Sequence, residues 1–197
     1  MVLYKRRDRF NKLSVKIGLV FSKFGLSPNQ WTAVSLIPVM IAVWFLVKND
    51  FLIAAILFII SAFLDLVDGS VARVTGRVSK KGAYLDTVVD RYVEGIIVFG
   101  LLFATLPDFY IPIYAWIFVY FFGGLVTTYV KAAAKEKDLT HIEIKGGLLE
   151  RAERLFILFI GILLAIHDPL WLTYVIVILA VLTNVTALQR IKIAISK

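Results

Sequence analysis

"DLVDGSVARVTGRVSKKGAYLDTVVD", residues 65–90, decides how the rest of this chain is read. It carries Asp65, Asp68, Asp86 and Asp90 and lies between apolar runs that are long enough for lipid. The spacing within each pair, i,i+3 and i,i+4, puts Asp65 with Asp68 on one helix face and Asp86 with Asp90 on another. The turn between the two helices is short and basic, so they run antiparallel. If those faces meet, four carboxylates converge on one small volume. Counted from Phe51, Asp65 stands about 20 Å along its helix at about 1.5 Å per residue, against a hydrocarbon core about 30 Å thick. The cluster is therefore expected near the cytoplasmic boundary and not at the midplane.

One carboxylate near the bilayer centre costs about 2.5–3.5 kcal/mol on insertion scales, and four together also repel. Protonation or divalent cations would relieve the conflict. Hard oxygen donors favour Mg²⁺, Mn²⁺ or Ca²⁺ over zinc, and His141 and His167 lie far from the cluster in sequence. Four carboxylates balance two divalent ions, and two ions about 3.5–4 Å apart are a recurrent device for phosphoryl displacement. Gly69, Ala72, Gly76 and Gly82 leave room for a ligand against the backbone. Arg73 suits bidentate phosphate recognition, and Ser70, Thr75 and Ser79 offer hydroxyls. Intramembrane carboxylates also serve proton relays and ion pathways, so an aspartate-based ion or proton transporter is the competing class.

The composition agrees with a membrane setting. Of 197 residues, 60% are hydrophobic, mean hydropathy is +0.85 and the formal net charge is +8. Six apolar spans are expected at about 30–48, 51–74, 82–105, 111–134, 150–167 and 169–192. The fold class is thus an all-α membrane protein, one domain over residues 1–197. Residues 4–22 read as an amphipathic helix on the membrane surface, with Tyr4, Phe10, Leu13, Ile17, Val20 and Phe21 as apolar contacts and Lys5, Arg6, Arg7, Arg9, Lys12 and Lys16 as head-group contacts. The basic N-terminus does not have the form of a cleavable signal peptide. Ser27 reads as a helix cap with Pro28 in the first turn, and Pro38 as a kink. There is no cysteine, hence neither disulfide nor thiolate chemistry.

Charge in the connections gives orientation. Arg77, Lys80 and Lys81 lie in one connection, Lys135, Lys137 and Lys145 in another, and Arg190, Lys192 and Lys197 at the C-terminus. "LPDFYIP" (106–112) and "HDP" (167–169) carry no Lys or Arg, and "KND" (48–50) carries Lys48 alone. The positive-inside rule then places both termini, and the acidic site, on the cytoplasmic side of the cell membrane.

The stretch 65–90 resembles the signature of the CDP-alcohol phosphotransferase family, D-x2-D-G-x2-A-R-x8-G-x3-D-x3-D. Asp65, Asp68, Gly69, Ala72, Arg73, Gly82, Asp86 and Asp90 match every fixed position. The expected span count and interfacial N-terminal helix resemble the family too. The resemblance implies two divalent cations, Mg²⁺ or Mn²⁺, held by Asp65, Asp68 and Asp86, with Asp90 at the metal site and acting as general base. It implies that a CDP-linked lipid donor is contacted at Gly69, Ala72, Arg73 and Gly82, and that Asn29, in "SPNQWT", lies near the nucleotide. An acceptor alcohol attacks the β-phosphorus and CMP leaves. Nucleic acid is not an expected partner, and span packing could extend to a homodimer.

The second half bears on the acceptor. Lys131 ends one span, Arg151 and Arg154 open the next, and Arg190 ends the last. A neutral acceptor has no need of such charges, whereas a phosphorylated one does. The positive-inside bias is the alternative account of them. "YVKAAAKE", "ERAERL" and "ALQR" resemble the subgroup making phosphatidylinositol phosphate, or archaetidylinositol phosphate on ether lipids. That resemblance implies an inositol phosphate pocket of Lys131, Arg151 and Arg190. Ala133 and Ala152 depart from it, standing where the subgroup often has Arg and Pro. Glycerol 3-phosphate or serine is the alternative acceptor. Arg154 is expected to pair with Glu150 or Glu153, and Glu94 either to hold a network around the base or to pair with Arg91, with no chemistry assigned to it. Gly123 and Gly124 are expected to permit close helix packing.

Overall fold

A break at Ser35 divides the first apolar run into two helices, and Pro38 explains it. Proline lacks the N–H that would reach the carbonyl one turn back and its ring crowds that carbonyl. The computed structural model describes residues 2–139 and 147–196, and of residues 2–11 the backbone alone. The side chains from Tyr4 to Phe10 assigned above to the membrane surface, together with His141 and Lys145, lie outside the described residues. The elements are α1 (Val2–Ser22), α2 (Pro28–Val34), α3 (Leu36–Val47), α4 (Phe51–Val74), α5 (Lys80–Leu101), α6 (Ile113–Glu136), α7 (Arg151–Leu164) and α8 (Pro169–Ile195). Among the described residues there is no strand beyond one isolated bridge between Phe109 and Ile111.

Local chemistry sets several of these boundaries. Ser27 caps α2 through a reciprocal box: its backbone N–H donates to Gln30 Oε1 at 2.7 Å while the Gln30 N–H points to Ser27 Oγ at 3.4 Å. Asp168 caps α8 by accepting from the Leu170 N–H at 2.9 Å, with Pro169 in the first turn. Asn49 ends the turn after α3 with φ +58°, a conformation asparagine tolerates better than most residues. Its side chain bridges to the turn after α5, accepting from the Thr105 N–H at 2.7 Å and donating to Thr105 Oγ1 at 3.0 Å.

Four helical runs are long and apolar enough to cross a membrane: Pro28–Val47, Phe51–Val74, Ile113–Glu136 and Pro169–Ile195. The two other expected spans form helices but do not join that group, for different reasons. α5 has 22 residues yet carries Lys80, Lys81, Asp86, Asp90, Arg91 and Glu94. α7 has 14 residues and rises only about 21 Å at about 1.5 Å per residue.

The chain divides into two compact units. The first comprises residues 1–43 and 56–97. Trp31, Val67 and Val71 form a buried cluster there, with Ile17, Phe21, Leu26, Val34 and Leu64 packed around it. Phe21 meets Trp31 edge-on at 5.2 Å and Phe63 at 5.7 Å, which seats α1 on α2 and α4. The Ser61 hydroxyl donates to the Ser35 carbonyl at 2.7 Å, so a side chain of α4 satisfies backbone at the Pro38 break. The outer side of α1 leaves Leu13, Leu19 and Val20 exposed, while Ile17 and Phe21, expected at the membrane surface, pack against this cluster instead.

The second unit comprises residues 44–55 and 98–197. In it α8 packs against α6 and α7. The close approach of α6 and α8 depends on Gly123, where a Cβ would lie 2.5 Å from Asn184 Nδ2 and 2.6 Å from Thr183 Oγ1. Asn184 Nδ2 donates to the Val119 carbonyl at 2.9 Å and ties the same two helices. Of the two adjacent glycines expected to permit close packing, Gly123 is thus the one at this contact.

Candidate functional site

In the first unit, α4 and α5 bring three of the four aspartates together. Asp65, Asp68 and Asp86 each offer one carboxylate oxygen, and the three atoms lie within 4.8 Å of one another. Asp90 stands one turn beyond Asp86 on α5 and is not among these three. Its neighbours form a chain of charge along α5: Arg91 Nη2 lies 3.7 Å from Asp90 Oδ2, and Arg91 Nη1 donates to Glu94 Oε2 at 3.3 Å. Glu94 is buried and meets Arg91 as expected.

Asp68 is buried and accepts a short hydrogen bond from the Thr32 hydroxyl of α2. Sequence reasoning missed Thr32. The signal was its position in the turn that Ser27 and Pro28 start, one turn before the Pro38 break, but only the crossing of α2 and α4 pairs it with Asp68. Three gathered carboxylates repel unless a cation compensates, and three hard oxygens from two rigid helices fit a divalent ion such as Mg²⁺ or Mn²⁺.

Beside this cluster lies a cavity of about 320 Å³ lined by Asn29, Thr32, Asp68, Gly69, Ala72, Arg73, Arg77, Val78, Ser79, Gly82, Ala83 and Asp86, with Pro28 at its edge. All five residues expected at the donor, Asn29, Gly69, Ala72, Arg73 and Gly82, are on its wall. Gly69 has a local purpose: a Cβ there would lie 3.3 Å from Arg73 Nη1, so the glycine lets the guanidinium fold back along α4. Gly82 opens the facing wall, where a Cβ would lie 3.4 Å from Asn29 Oδ1. Of the three hydroxyls suggested by sequence, only Ser79 faces the cavity, and it caps α5 by accepting from the Gly82 N–H at 3.0 Å. Thr75 bonds back to the Val71 carbonyl at 2.8 Å, and Ser70 to the Leu66 carbonyl at 2.9 Å.

The second unit holds a basic group on α6, α7 and α8. Arg190 is buried and its Nη1 donates to the Thr127 carbonyl at 3.0 Å. Arg154, also buried, donates to Thr127 Oγ1 at 3.3 Å. Glu153 accepts from the Glu150 N–H at 2.8 Å at the start of α7, and Arg154 reaches α6. Arg151 opens α7 and Lys131 lies one turn after Thr127 on α6, both half-buried. The segment before α7 is held by α8: the Leu148 N–H donates to Gln189 Oε1 and the Leu149 N–H to Thr186 Oγ1, each at 3.1 Å. Gly147 precedes them with φ +107°, a conformation other residues rarely adopt. Thr127 is the member that sequence reasoning left out of this group, and Arg154, named among the charges at the helix ends, was not counted in the expected phosphate pocket.

The sequence model of CDP-alcohol phosphatidyltransferases matches residues 26–186. The archaetidylinositol phosphate synthase of Pyrococcus horikoshii is 29% identical over 191 residues, covering 96% of this chain and 95% of that protein. The enzyme of the same name from Methanothermobacter thermautotrophicus is 34% identical over 145 residues, covering 73% and 70%. In fold the chain resembles the phosphatidylinositol phosphate synthase of Mycobacterium tuberculosis. With CDP-DAG bound, that structure matches at TM-score 0.80 and 24% identity, over 93% of this chain and 94% of that one. In complex with manganese and citrate it matches at TM-score 0.81 and 24% identity, over 93% and 89%. The match from before α2 into α8, together with relatives alike over most of their length, shows that this chain belongs to the CDP-alcohol phosphatidyltransferase family and is a membrane enzyme of that class.

Proposed function

We propose that the chain transfers the lipid phosphate group of a CDP-linked lipid, archaetidyl in the leading reading, to inositol phosphate and releases CMP. The single observation that carries the donor half is the set of three carboxylate oxygens within 4.8 Å beside the cavity wall of Gly69, Arg73 and Gly82. The names of the two archaeal relatives support the acceptor and the ether lipid. The CDP-DAG and manganese found with the mycobacterial enzyme agree in chemistry with a diphosphate donor and a divalent ion.

Asp65, Asp68 and Asp86 would hold the ions, two in the expected arrangement. When bound, they supply charge neutralisation for the diphosphate and for the leaving CMP. Thr32 keeps the Asp68 carboxylate oriented. Arg73 and the backbone beside Gly69 and Gly82 grip the diphosphate, with Ala72 and Asn29 shaping the nucleotide side. The acceptor hydroxyl attacks the β-phosphorus, the bond to the bridging oxygen breaks with CMP as leaving group, and the hydroxyl proton passes to the Asp90 carboxylate. Asp90 suits this role because it stands outside the three-oxygen set, with Arg91 beside it and Glu94 behind. Lys131, Arg151 and Arg190 bind the phosphate of the acceptor.

In this reading the protein is one membrane domain with six spans, α5 and α7 completing the four apolar ones. The termini and the polar site face the cytoplasm. Exposed Trp44, Phe118 and Ile178 face lipid, and a homodimer would cover part of such surface. The test is CMP release by purified protein given CDP-archaeol or CDP-diacylglycerol with inositol phosphate, glycerol 3-phosphate or serine. Turnover confined to glycerol 3-phosphate would refute the acceptor assignment, and turnover with none of them the function itself. The natural lack of cysteine makes topology equally accessible: single cysteines at Lys48 and Ser196 should be labelled from opposite sides of the membrane.

A further inference from the structure

Arg73 reaches the cavity from α4, but its guanidinium is not held by α4 alone. Arg73 Nη2 donates to Ser14 Oγ of α1 at 2.8 Å and to Ser70 Oγ at 3.3 Å. The two hydroxyls are themselves 2.9 Å apart. Among the described residues these bonds occupy one terminal nitrogen of the guanidinium. Its other terminal nitrogen lies over Gly69, on the cavity wall. Ser14 can reach Arg73 because α1 and α4 touch backbone to backbone one turn away. A Cβ at Gly18 would stand 2.5 Å from the Ser70 carbonyl oxygen.

An arginine side chain has several rotatable bonds, and an exposed one loses that freedom whenever it grips a ligand. A partner that holds the guanidinium before the ligand arrives reduces that cost, which is preorganisation. Ser70 alone is a weak holder, since its contact with Arg73 is long at 3.3 Å. The short contact comes from Ser14.

We propose that Ser14 is a positioning residue for the donor site: from α1 it holds the Arg73 guanidinium over Gly69, so that the seating of α1 on α4 sets the affinity for the diphosphate of the CDP-linked donor. This rests on the reading of Arg73 as a donor-binding residue given above.

The experiment is steady-state CMP release by the full chain, with CDP-lipid and inositol phosphate varied separately, for wild type, Ser14→Ala, Ser14→Thr and Ser14→Val. Thr and Val are nearly isosteric, so this pair separates the hydroxyl from packing. The expected result is a donor KM raised about three- to tenfold in Ser14→Ala and Ser14→Val, the range of a modest hydrogen bond. The acceptor KM stays within twofold, and Ser14→Thr recovers most of the loss. In an Arg73→Ala background the Ser14→Val change should lose its effect on binding of CDP, measured by calorimetry on the same preparations. A donor KM within twofold of wild type in Ser14→Val overturns the proposal. So does an equal rise in both substrate KM values, or a Thr variant no better than Val. Wild type that neither binds CDP nor releases CMP fails the underlying function instead. If Ser14→Ala does not fold, the Thr–Val pair decides the matter.

Discussion

In the first unit, charges of one sign are gathered: Asp65, Asp68 and Asp86 place oxygens within 4.8 Å of each other on α4 and α5. In the second, the guanidiniums of Arg154 and Arg190 are buried, and both reach Thr127, one at its hydroxyl and one at its carbonyl. The two regions handle charge differently because carboxylates and guanidiniums differ. An ionised carboxylate only accepts, and a cluster of them needs a counter-charge brought from outside. A guanidinium has five N–H donors, which backbone and hydroxyl oxygens can partly satisfy without any ligand. The acidic site is therefore suited to an added cation, while the basic site is braced by oxygens of the protein. Function of the first should depend on an added ion, and function of the second on individual side chains.

Chelation tests the first half of this contrast and should give the largest effect. Excess chelator should lower CMP release by about 10⁴-fold or more, because a bound metal supplies several kcal/mol of transition-state stabilisation. Mg²⁺ or Mn²⁺ should restore it, and full activity in chelator would end the metal reading. Next comes Asp90→Asn, which should lower kcat by about 10²–10⁴-fold, the usual contribution of a general base, with CDP-lipid binding retained. A variant that instead loses donor binding while keeping kcat would place Asp90 among the ligands and not as the base.

Arg190→Ala addresses the basic site. Its loss should raise the KM for inositol phosphate by about 10–100-fold, as expected for one hydrogen bond to a charged group, and leave the donor KM unchanged. Unchanged acceptor kinetics would return the basic residues to orientation in the membrane. The smallest functional effect is expected from Gly123→Ala. Its Cβ would press on Thr183 and Asn184, and overpacking of this kind costs about 1–3 kcal/mol of stability. Thermal denaturation in detergent should show the loss, while activity per folded molecule stays near wild type.

The two regions also differ in how much of them the sequence reveals. The aspartates sit on consecutive helices joined by a short turn, so helical spacing alone pairs them. The same spacing pairs Asp90 with Asp86 but does not say how far along the helix the neighbouring carboxylates stop. In the basic group the order of residues in the chain is no guide. Thr127, Arg154 and Arg190 come from α6, α7 and α8, and local reasoning gave Arg154 to the nearest glutamates. At the membrane level, apolar length marks four candidate spans among the described residues, and α5 with its site residues and the short α7 do not join them.

What the sequence determined by itself was whatever depends on spacing along one helix or on bulk polarity: the helical runs, the cap at Ser27, the break near Pro38 and the acidic pairs. What only the tertiary structure decided was which helices cross where. That crossing gives Asp68 its Thr32, turns Arg154 to Thr127 and lets Ser14 reach Arg73. The reason is physical: periodicity sets the direction of a side chain from its own helix, but a polar partner on another helix is set by close backbone approach, as at Gly18 and Gly123, and by the need of buried polar groups to be satisfied.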